Sequence, residues 1–561
     1  MKRSARGYCL ALFVVFGVLM GLLTLQPGGP IDLFERGAWL GPASDMLAGK
    51  IPFRDTFPVH GFLADGGFDL FLFKLFGPSF GVSVYAHHFL GSFFQASLFL
   101  VTAAATRSPI VATLAIPLNL SFTTGLVTDR PVLPLLSLAA FLWALDDPPR
   151  RGQAFIAGLL GGVGFLYALD FGTFVVISEL CVLGLAAVAS RNHALPVLRG
   201  KAFLAGVAIP VAAFCGYLVA HEALDDFLKI SFLDLPRHIE NVWGLPFPAP
   251  WDLFTAWLHG SQYAYGELSF GFGMVKRLYL APLLGVAGIV EAVAFLRRRD
   301  LAAALRLAGL SLACLLFFRH VIARLHLEAG NALTGPTFVT ALFLLGLHAY
   351  AGDARRRALR AALACLAFFA VLAMNLPGRV VAVARTASVG RRVALEGLKP
   401  LTVPRGSGIL VPRREAAELR TLFSFCSCAL PAGARILDLT NRPGLYFFLD
   451  RPNATRFYQV PLMQPFESQI VASIDESPPA MVILAGGDLE APDGVPNRER
   501  IAHIWSLVLE RYPLSIVVRN NELRFPLDAS ALVQQCLRSS RHSNKSPTAS
   551  LSSLKLQVYR Q

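Results

Sequence analysis

The stretch from Asp32 to Phe76 holds more ionisable side chains than any comparable length of the hydrophobic half of the chain. Its carboxylates are ordered: Asp32 and Glu35 stand three apart, Asp45 follows, and Asp55 comes directly after Arg54. Arg54, His60 and Lys74 supply positive or protonatable groups in the same stretch. A carboxylate beside a hydroxyl takes its proton as the oxygen attacks, and fixed cations stabilise an anion as it departs. The stretch is therefore read as a candidate active-site loop whose side chains could take a proton and neutralise an anion. Glu35 and Asp32 are alternative bases, Asp55 is a further carboxylate candidate, and Arg54, His60 and Lys74 are candidates for binding the anion.

Such groups need elements that hold them. A helix over 33–47 would set Asp32 and Glu35 on one face, since residues three apart are neighbours on a helix surface. Pro52 ends it, because the residue before a proline is pushed out of the helical region. A charged turn at Arg54 and Asp55 follows. The aromatic run Phe68 to Phe76, carrying Lys74, is too short to span a bilayer and suits a helix lying in the membrane interface.

The chain around this loop belongs to a membrane. Of 561 residues 54% are hydrophobic and 16% charged, and mean hydropathy is +0.54, against roughly 25% charged in soluble domains. The net charge of +14 comes largely from Arg clusters between apolar runs, so it reflects the positive-inside rule and excludes nucleic acid as the partner. Lys2, Arg3 and Arg6 precede a first apolar run, Tyr8 to Leu25, with no small-x-small cleavage site after it. It is expected to be a retained helix with a cytoplasmic N-terminus. Further apolar segments run over 82–105, 109–127, 132–145, 154–169, 173–189, 202–220, 278–296, 301–318, 332–350 and 359–375, giving about eleven spans. Alternation puts Arg107, Arg150, Arg151, Arg191, Arg199, Arg297 to Arg299 and Arg355 to Arg357 on the cytoplasmic side, and sends the first loop and everything past Gly378 outside.

The other outer connections are informative. Asp129 and Arg130 occupy a short turn between spans, where a helix-end salt bridge is the plain alternative to a function; Tyr167 and Asp170 occupy the next outer turn. The connection from His221 to Arg277 is long and aromatic, which is a common property of functional loops. Arg319, His320, Arg324, His326 and Glu328 cluster after another span. Arg319 and Arg324 are candidates for a lipid phosphate, because guanidinium forks match phosphate geometry. Glu179 and Glu291 fall inside spans and are read as buried, protonated or hydrogen-bonded helix contacts. The eight cysteines show no metal spacing, and Cys426 or Cys428 is placed to pair with Cys536 in an oxidising compartment.

Past Gly378 the texture changes to short Val- and Ile-rich runs, GILV, ARILDL, MVILAG and LSIVVR, separated by stretches of helical period at 414–425 and 501–511. That alternation predicts a small α/β domain, with a hairpin turn at Asn520 and Asn521. Asn453, Ala454 and Thr455 match a glycosylation sequon. The expected organisation is a membrane domain over 1–378 with its first outer loop at 27–81, an extracytoplasmic α/β domain over 379–530, and a Ser-rich disordered tail over 531–561.

A carboxylate about eleven residues before Met46 and Leu47, then IPFRD, PVHG and an aromatic run closing in KLFGPS, resembles the first outer loop of the GT-C superfamily. These polytopic glycosyltransferases include the protein mannosyltransferases and the bacterial aminoarabinose transferase. The resemblance spans roughly the first 375 residues, and the segment Gly444 to Tyr458 is also similar to the outer domain of many such enzymes. The family usually carries Asp, often Asp-Glu, where this chain has Glu35 and Arg36, which leaves Glu35 and Asp32 both open as the base. The resemblance implies Asp129 as a second acidic site residue. It also implies an inverting transfer of a sugar from a polyprenyl-phosphate donor to a lipid, glycan or protein acceptor, at the outer face of a bacterial cytoplasmic membrane. The chain has no Asp-x-Asp nucleotide-sugar pair, no phosphate-binding glycine loop and no Ser-His-Asp order. No metal site and no cofactor are expected, and a divalent metal requirement is left open. The competing classes are a transporter or lipid flippase, which favours repeated halves with broken helices, and a membrane scaffold whose outer domain binds a partner.

Overall fold

The computed structural model describes residues 3–26, 28–113, 116, 127–145, 151–190, 194–238, 249, 251, 263–265, 268–270, 272–323, 397–485, 495–542 and 556–558. The chain divides into two compact units. One comprises Met1–Leu25, Ala86–Tyr217 and Gly244–Gly390; the other comprises Gln26–Tyr85, Leu218–Trp243 and Arg391–Gln561.

The first unit is helical. Among the described residues five helices are long and apolar enough to cross a membrane: Ala5–Thr24, Phe80–Thr106, Leu169–Ala189, Pro196–Ala220 and Leu301–Arg319. Val132–Ala144 and Arg151–Tyr167 are shorter apolar helices beside them. Two expected spans, 332–350 and 359–375, and most of 109–127 lie outside the described residues. Backbones approach closely where glycine permits it. A Cβ on Gly158 would stand 2.0 Å from the Phe203 carbonyl oxygen, and one on Gly206 would stand 2.2 Å from that of Phe155. Small residues at such crossings are how helices pack without a hydrophobic driving force in lipid. Glu179 is fully buried, 2.9 Å from the hydroxyl of Ser137.

In the second unit the first outer loop and the C-terminal region share one hydrophobic core. Leu40, Ala43, Phe73, Phe80 and Val84 pack in the same cluster as Leu419, Phe447, Phe448, Ile483 and Phe525. Strands β1 (Leu398–Pro400) and β2 (Leu410–Pro412) form an antiparallel ribbon. Strands β3 (Ile436–Asp438), β4 (Met481–Ala485), β5 (Leu514–Val518), β6 (Asn521–Phe525) and β7 (Leu556–Val558) form a sheet in the order β3-β4-β6-β5-β7, in which only the β3–β4 pair is parallel. GILV thus joins the ribbon, while the other three Val- and Ile-rich runs build the sheet. The hairpin pairs Val518 with Asn521, so its turn is Arg519–Asn520, one residue earlier than expected, with Arg519 at φ 59°.

The tail is ordered at its start. Ser530–His542 is a helix rather than disordered chain, because Val533 and Leu537 are buried and Cys536 is bonded to Cys428 across 108 residues. Closing a loop of that length removes unfolded-state entropy worth about 4.8 kcal/mol in the chain-entropy treatment. Cys426 stays a buried thiol, pushed up to about 12 by burial.

Candidate functional site

The Asp32–Glu35 segment is a clamped turn ahead of the Gly37–Leu47 helix, which starts four residues later than expected. Asp32 Oδ1 accepts the backbone N–H groups of Phe34 (3.0 Å) and Glu35 (2.8 Å), closing the turn over 33–36 as a short acidic side chain does by bonding the backbone two and three residues on. The Gly444 N–H donates to the Leu33 carbonyl at 3.0 Å, and the Ile31 N–H donates to Glu415 Oε2 at 2.7 Å. A Cβ on Gly37 would lie 2.2 Å from the Gly444 nitrogen, so glycine is needed at this contact. Asp32 and Glu35 are both exposed, but they differ in occupation. Asp32 is engaged in closing the turn, whereas the Glu35 carboxylate has no hydrogen bond or ion pair among the described residues.

Asp45, three turns into the same loop, serves another end. It is fully buried and receives Lys50 Nζ (2.8 Å), the Asn453 N–H (3.0 Å) and the Tyr458 hydroxyl (2.6 Å). Burial pushes its carboxyl up despite the opposing pull of Lys50, Tyr458 and Asn453. Lys50 also donates to the carbonyl of Asn453 at 2.6 Å. The sequon asparagine is therefore inside this knot: Asn453 is fully buried, and its amide donates to the Phe457 carbonyl at 2.7 Å. Arg405 adds a further tie, donating to Ser44 at 2.7 Å, pairing with Asp450 and covering the Phe447 ring.

Arg54 and Asp55 form a two-point pair, with both bonds at 3.0 Å, and Arg54 also donates to the His221 carbonyl at 3.1 Å. Asp55 accepts the Ile51 N–H at 2.8 Å as well. Burial alone would raise the Asp55 carboxyl, but the hydrogen bonds from Arg54 and Ile51 and the charge of Arg54 hold it below its ordinary range. Asp55 is thus committed to closing the turn that follows Pro52.

His60 has a partner that the sequence did not single out. Its Nδ1 lies 2.9 Å from Oδ1 of the buried Asp65, whose other oxygen accepts the backbone N–H groups of Val59 and His60. Asp65 sits in a wide helical turn, Leu63–Gly67, where it and Gly66 leave helical dihedrals (φ −94°, ψ 51° and φ 107°, ψ −18°). That turn is seated on the Gly37–Leu47 helix: a Cβ on Gly66 would meet the Ala43 nitrogen at 2.6 Å and the Trp39 carbonyl at 2.9 Å. The Phe68–Phe76 helix follows at once. It buries Asp69 and Phe73 and exposes Phe71, Lys74, Leu75 and Phe76.

The first unit carries its own polar cluster. Asp129 Oδ2 is 2.5 Å from His87 Nδ1 and accepts the Tyr167 hydroxyl at 2.6 Å. Arg130 pairs with Asp170 through contacts of 3.1 and 2.8 Å and lies over the Phe171 ring. Burial works against the Asp129 charge, but the His87 hydrogen bond and charge and the Tyr167 hydroxyl outweigh it and bring its pKa down to about 2. The helix-end salt bridge of this turn therefore belongs to Arg130 and Asp170, and Asp129 is held by different partners. Phe171 also packs edge-on against Phe317 at 5.9 Å. Arg319, two residues beyond, is exposed and still helical, because Leu301–Ala323 continues past the expected end at Phe318. Arg324 lies outside the described residues. Among the described residues no group of three His, Cys, Asp or Glu side chains is arranged to hold a metal.

No protein-family model and no curated protein matches the chain. Among solved structures, the chain is similar to ArnT from Cupriavidus metallidurans bound to undecaprenyl phosphate, at 15% identity and a TM-score of 0.48 over 93% of this chain and 98% of that one. It is also similar to the apo state of that protein, at 14% identity and a TM-score of 0.42 over 93% and 98%. The oligosaccharyltransferase of Archaeoglobus fulgidus gives 12% identity and a TM-score of 0.44 over 84% and 68%.

Proposed function

We propose that this chain is a GT-C-type membrane glycosyltransferase that moves a sugar from a polyprenyl-phosphate donor to an acceptor hydroxyl by an inverting, single displacement. The observation that carries the reading is the Glu35 carboxylate, exposed and unengaged on a turn whose backbone is pinned by Asp32, Gly444 and Glu415. A base must stay open to its substrate while its backbone does not move. In this mechanism Glu35 takes the acceptor proton as the acceptor oxygen attacks the anomeric carbon, and cationic side chains take up the charge left on the lipid phosphate. His60 and Lys74 are the proposed phosphate contacts, with Arg319 and Arg324 kept on sequence grounds. Arg54 is engaged by Asp55 and supports the loop. Asp129, kept ionised by His87 and Tyr167, is the second acidic group.

The proposed topology has a cytoplasmic N-terminus and an outer C-terminal domain. The Cys428–Cys536 bond supports it, since disulfides persist on the oxidising side of a membrane. The exposed apolar face of Phe68–Phe76 suits contact with membrane lipid at that side. A fusion at Leu401 of reporters that work on only one side of the membrane tests this, and a signal confined to cytoplasmic reporters contradicts it. The function is tested with membranes containing the full chain and a panel of radiolabelled polyprenyl-phosphate sugars. Label should leave at least one donor in a protein-dependent way, and no transfer from any of them overturns the reading.

A further inference from the structure

We propose that Asp65 is a positioning residue for His60, holding the imidazole so that its Nε2 edge faces the phosphate of the lipid donor. Asp65 spends both oxygens on the segment that carries His60: one on the ring, one on the backbone N–H groups of Val59 and His60. A carboxylate facing Nδ1 keeps the proton on that nitrogen and leaves Nε2 as the outward atom. The ring makes no other polar contact among the described residues. The side chain of Asp65 is 3% exposed and that of His60 17%, so the pair is a buried anchor with an accessible tip.

Two features of the second unit favour a lipid phosphate. The turn holding Asp65 runs directly into Phe68–Phe76, whose Phe71, Leu75 and Phe76 are 59%, 60% and 68% exposed beside Lys74. A helix with that face lies at headgroup depth, and a phosphate on a polyprenyl chain lies at the same depth. The turn is also seated on the Gly37–Leu47 helix, at Trp39, Ala43 and Met46, and that helix begins two residues after Glu35. In the transfer, which is assumed here from the proposed function, the acceptor oxygen bonds to the anomeric carbon and the bond from that carbon to the phosphate oxygen breaks. The electron pair stays on the phosphate, the acceptor proton goes to Glu35, and the phosphate gains one negative charge. Nε2–H meets that charge in the doubly protonated ring, whose Nδ1–H is given to Asp65, and no proton leaves the ring.

The test measures binding without any sugar. The full chain in lipid nanodiscs is titrated with a polyprenyl monophosphate and, separately, with the neutral polyprenol of the same length. Wild type should prefer the phosphate; His60→Ala should weaken phosphate binding about tenfold and leave polyprenol binding unchanged. In Asp65→Asn the amide oxygen still accepts the two backbone N–H groups, but the NH2 group now faces Nδ1, which must accept from it, so the ring keeps Nε2–H but cannot take the second proton that would make it a cation. Phosphate binding should fall severalfold, and the same substitution should change nothing in the His60→Ala background, because Asp65 acts through the ring. A purely structural Asp65 would weaken binding equally in both backgrounds, which overturns the proposal, as does unchanged phosphate binding in His60→Ala. His60→Gln replaces the alanine variant if that protein fails to insert. Failure of transfer with every sugar, alongside His60-dependent phosphate binding, contradicts the transferase reading alone. Active transfer with His60-independent binding contradicts this inference alone.

Discussion

Asp45 and Asp129 have nearly the same ligands and opposite behaviour. Each accepts a tyrosine hydroxyl at 2.6 Å and faces a basic side chain, Lys50 for one and His87 for the other. The carboxyl of Asp45 is pushed up, while that of Asp129 is brought down to about 2. Burial opposes the charge at both. At Asp129 the His87 hydrogen bond and charge with the Tyr167 hydroxyl outweigh it, whereas at Asp45 Lys50, Tyr458 and Asn453, which belong to the knot joining the first outer loop to the Asn453–Tyr458 segment, do not. Hydrogen-bond partners alone therefore do not separate a structural carboxylate from a functional one, and Glu35, whose carboxylate has no partner among the described residues, completes the series.

The largest effect should come from Asp45→Ala. Removing one member of a buried ion pair strands the other, at about 3 to 5 kcal/mol. Detergent unfolding should show that loss, and a variant as stable as wild type would break the contrast at its structural end. Asp129→Asn should cost less. Its folded pKa of about 2 against a free value of 3.8 corresponds to about 2 kcal/mol of stability. The folded value is the lower one, so this contribution is complete above the free value and is lost as pH falls through about 2. The stability gap between wild type and Asp129→Asn should accordingly close on acidification, and a gap that widens would reverse the assignment. The smallest effects belong to the hydroxyls. Tyr458→Phe and Tyr167→Phe each remove a hydrogen bond to a carboxylate, at about 1.5 kcal/mol. Tyr458→Phe should lower stability alone, while Tyr167→Phe should also lower transfer, because it loosens a group proposed to serve the reaction. Equal transfer in both variants would leave Asp129 as structural as Asp45.

Periodicity was enough to anticipate the apolar helices among the described residues and strands β3 to β6 of the C-terminal sheet, because both patterns are local, whereas β7 lies in the stretch expected to be disordered. The charged loop was legible as a whole but not residue by residue. Asp45, Asp55 and Glu35 look alike in a row of carboxylates; Asp55 is held locally by Arg54 and Ile51, but Asp45 and the turn carrying Glu35 are set by Asn453, Tyr458 and Gly444, some 400 residues away. Asp65 was missed because its five-residue spacing from His60 matches no helical or strand repeat; the wide turn at Leu63–Gly67 creates the contact. The adjacent glycines at 66 and 67 were the available signal. The choice of Cys428 over Cys426 likewise needed helix phase: residues two apart point to different sides of Arg413–Ala429, and Cys426 faces the core.

The central claim is that Glu35 is the base and Asp32 closes the turn that carries it. It is tested most directly by transfer rates of Glu35→Gln and Asp32→Asn in membranes where both proteins are inserted at wild-type levels. Glu35→Gln keeps the shape and loses the proton acceptor, so transfer should fall at least roughly a hundredfold. Asp32→Asn keeps an oxygen able to accept the Phe34 and Glu35 N–H groups, so most activity should remain. Full activity in Glu35→Gln with loss in Asp32→Asn would move the base one turn earlier, and full activity in both would contradict the mechanism.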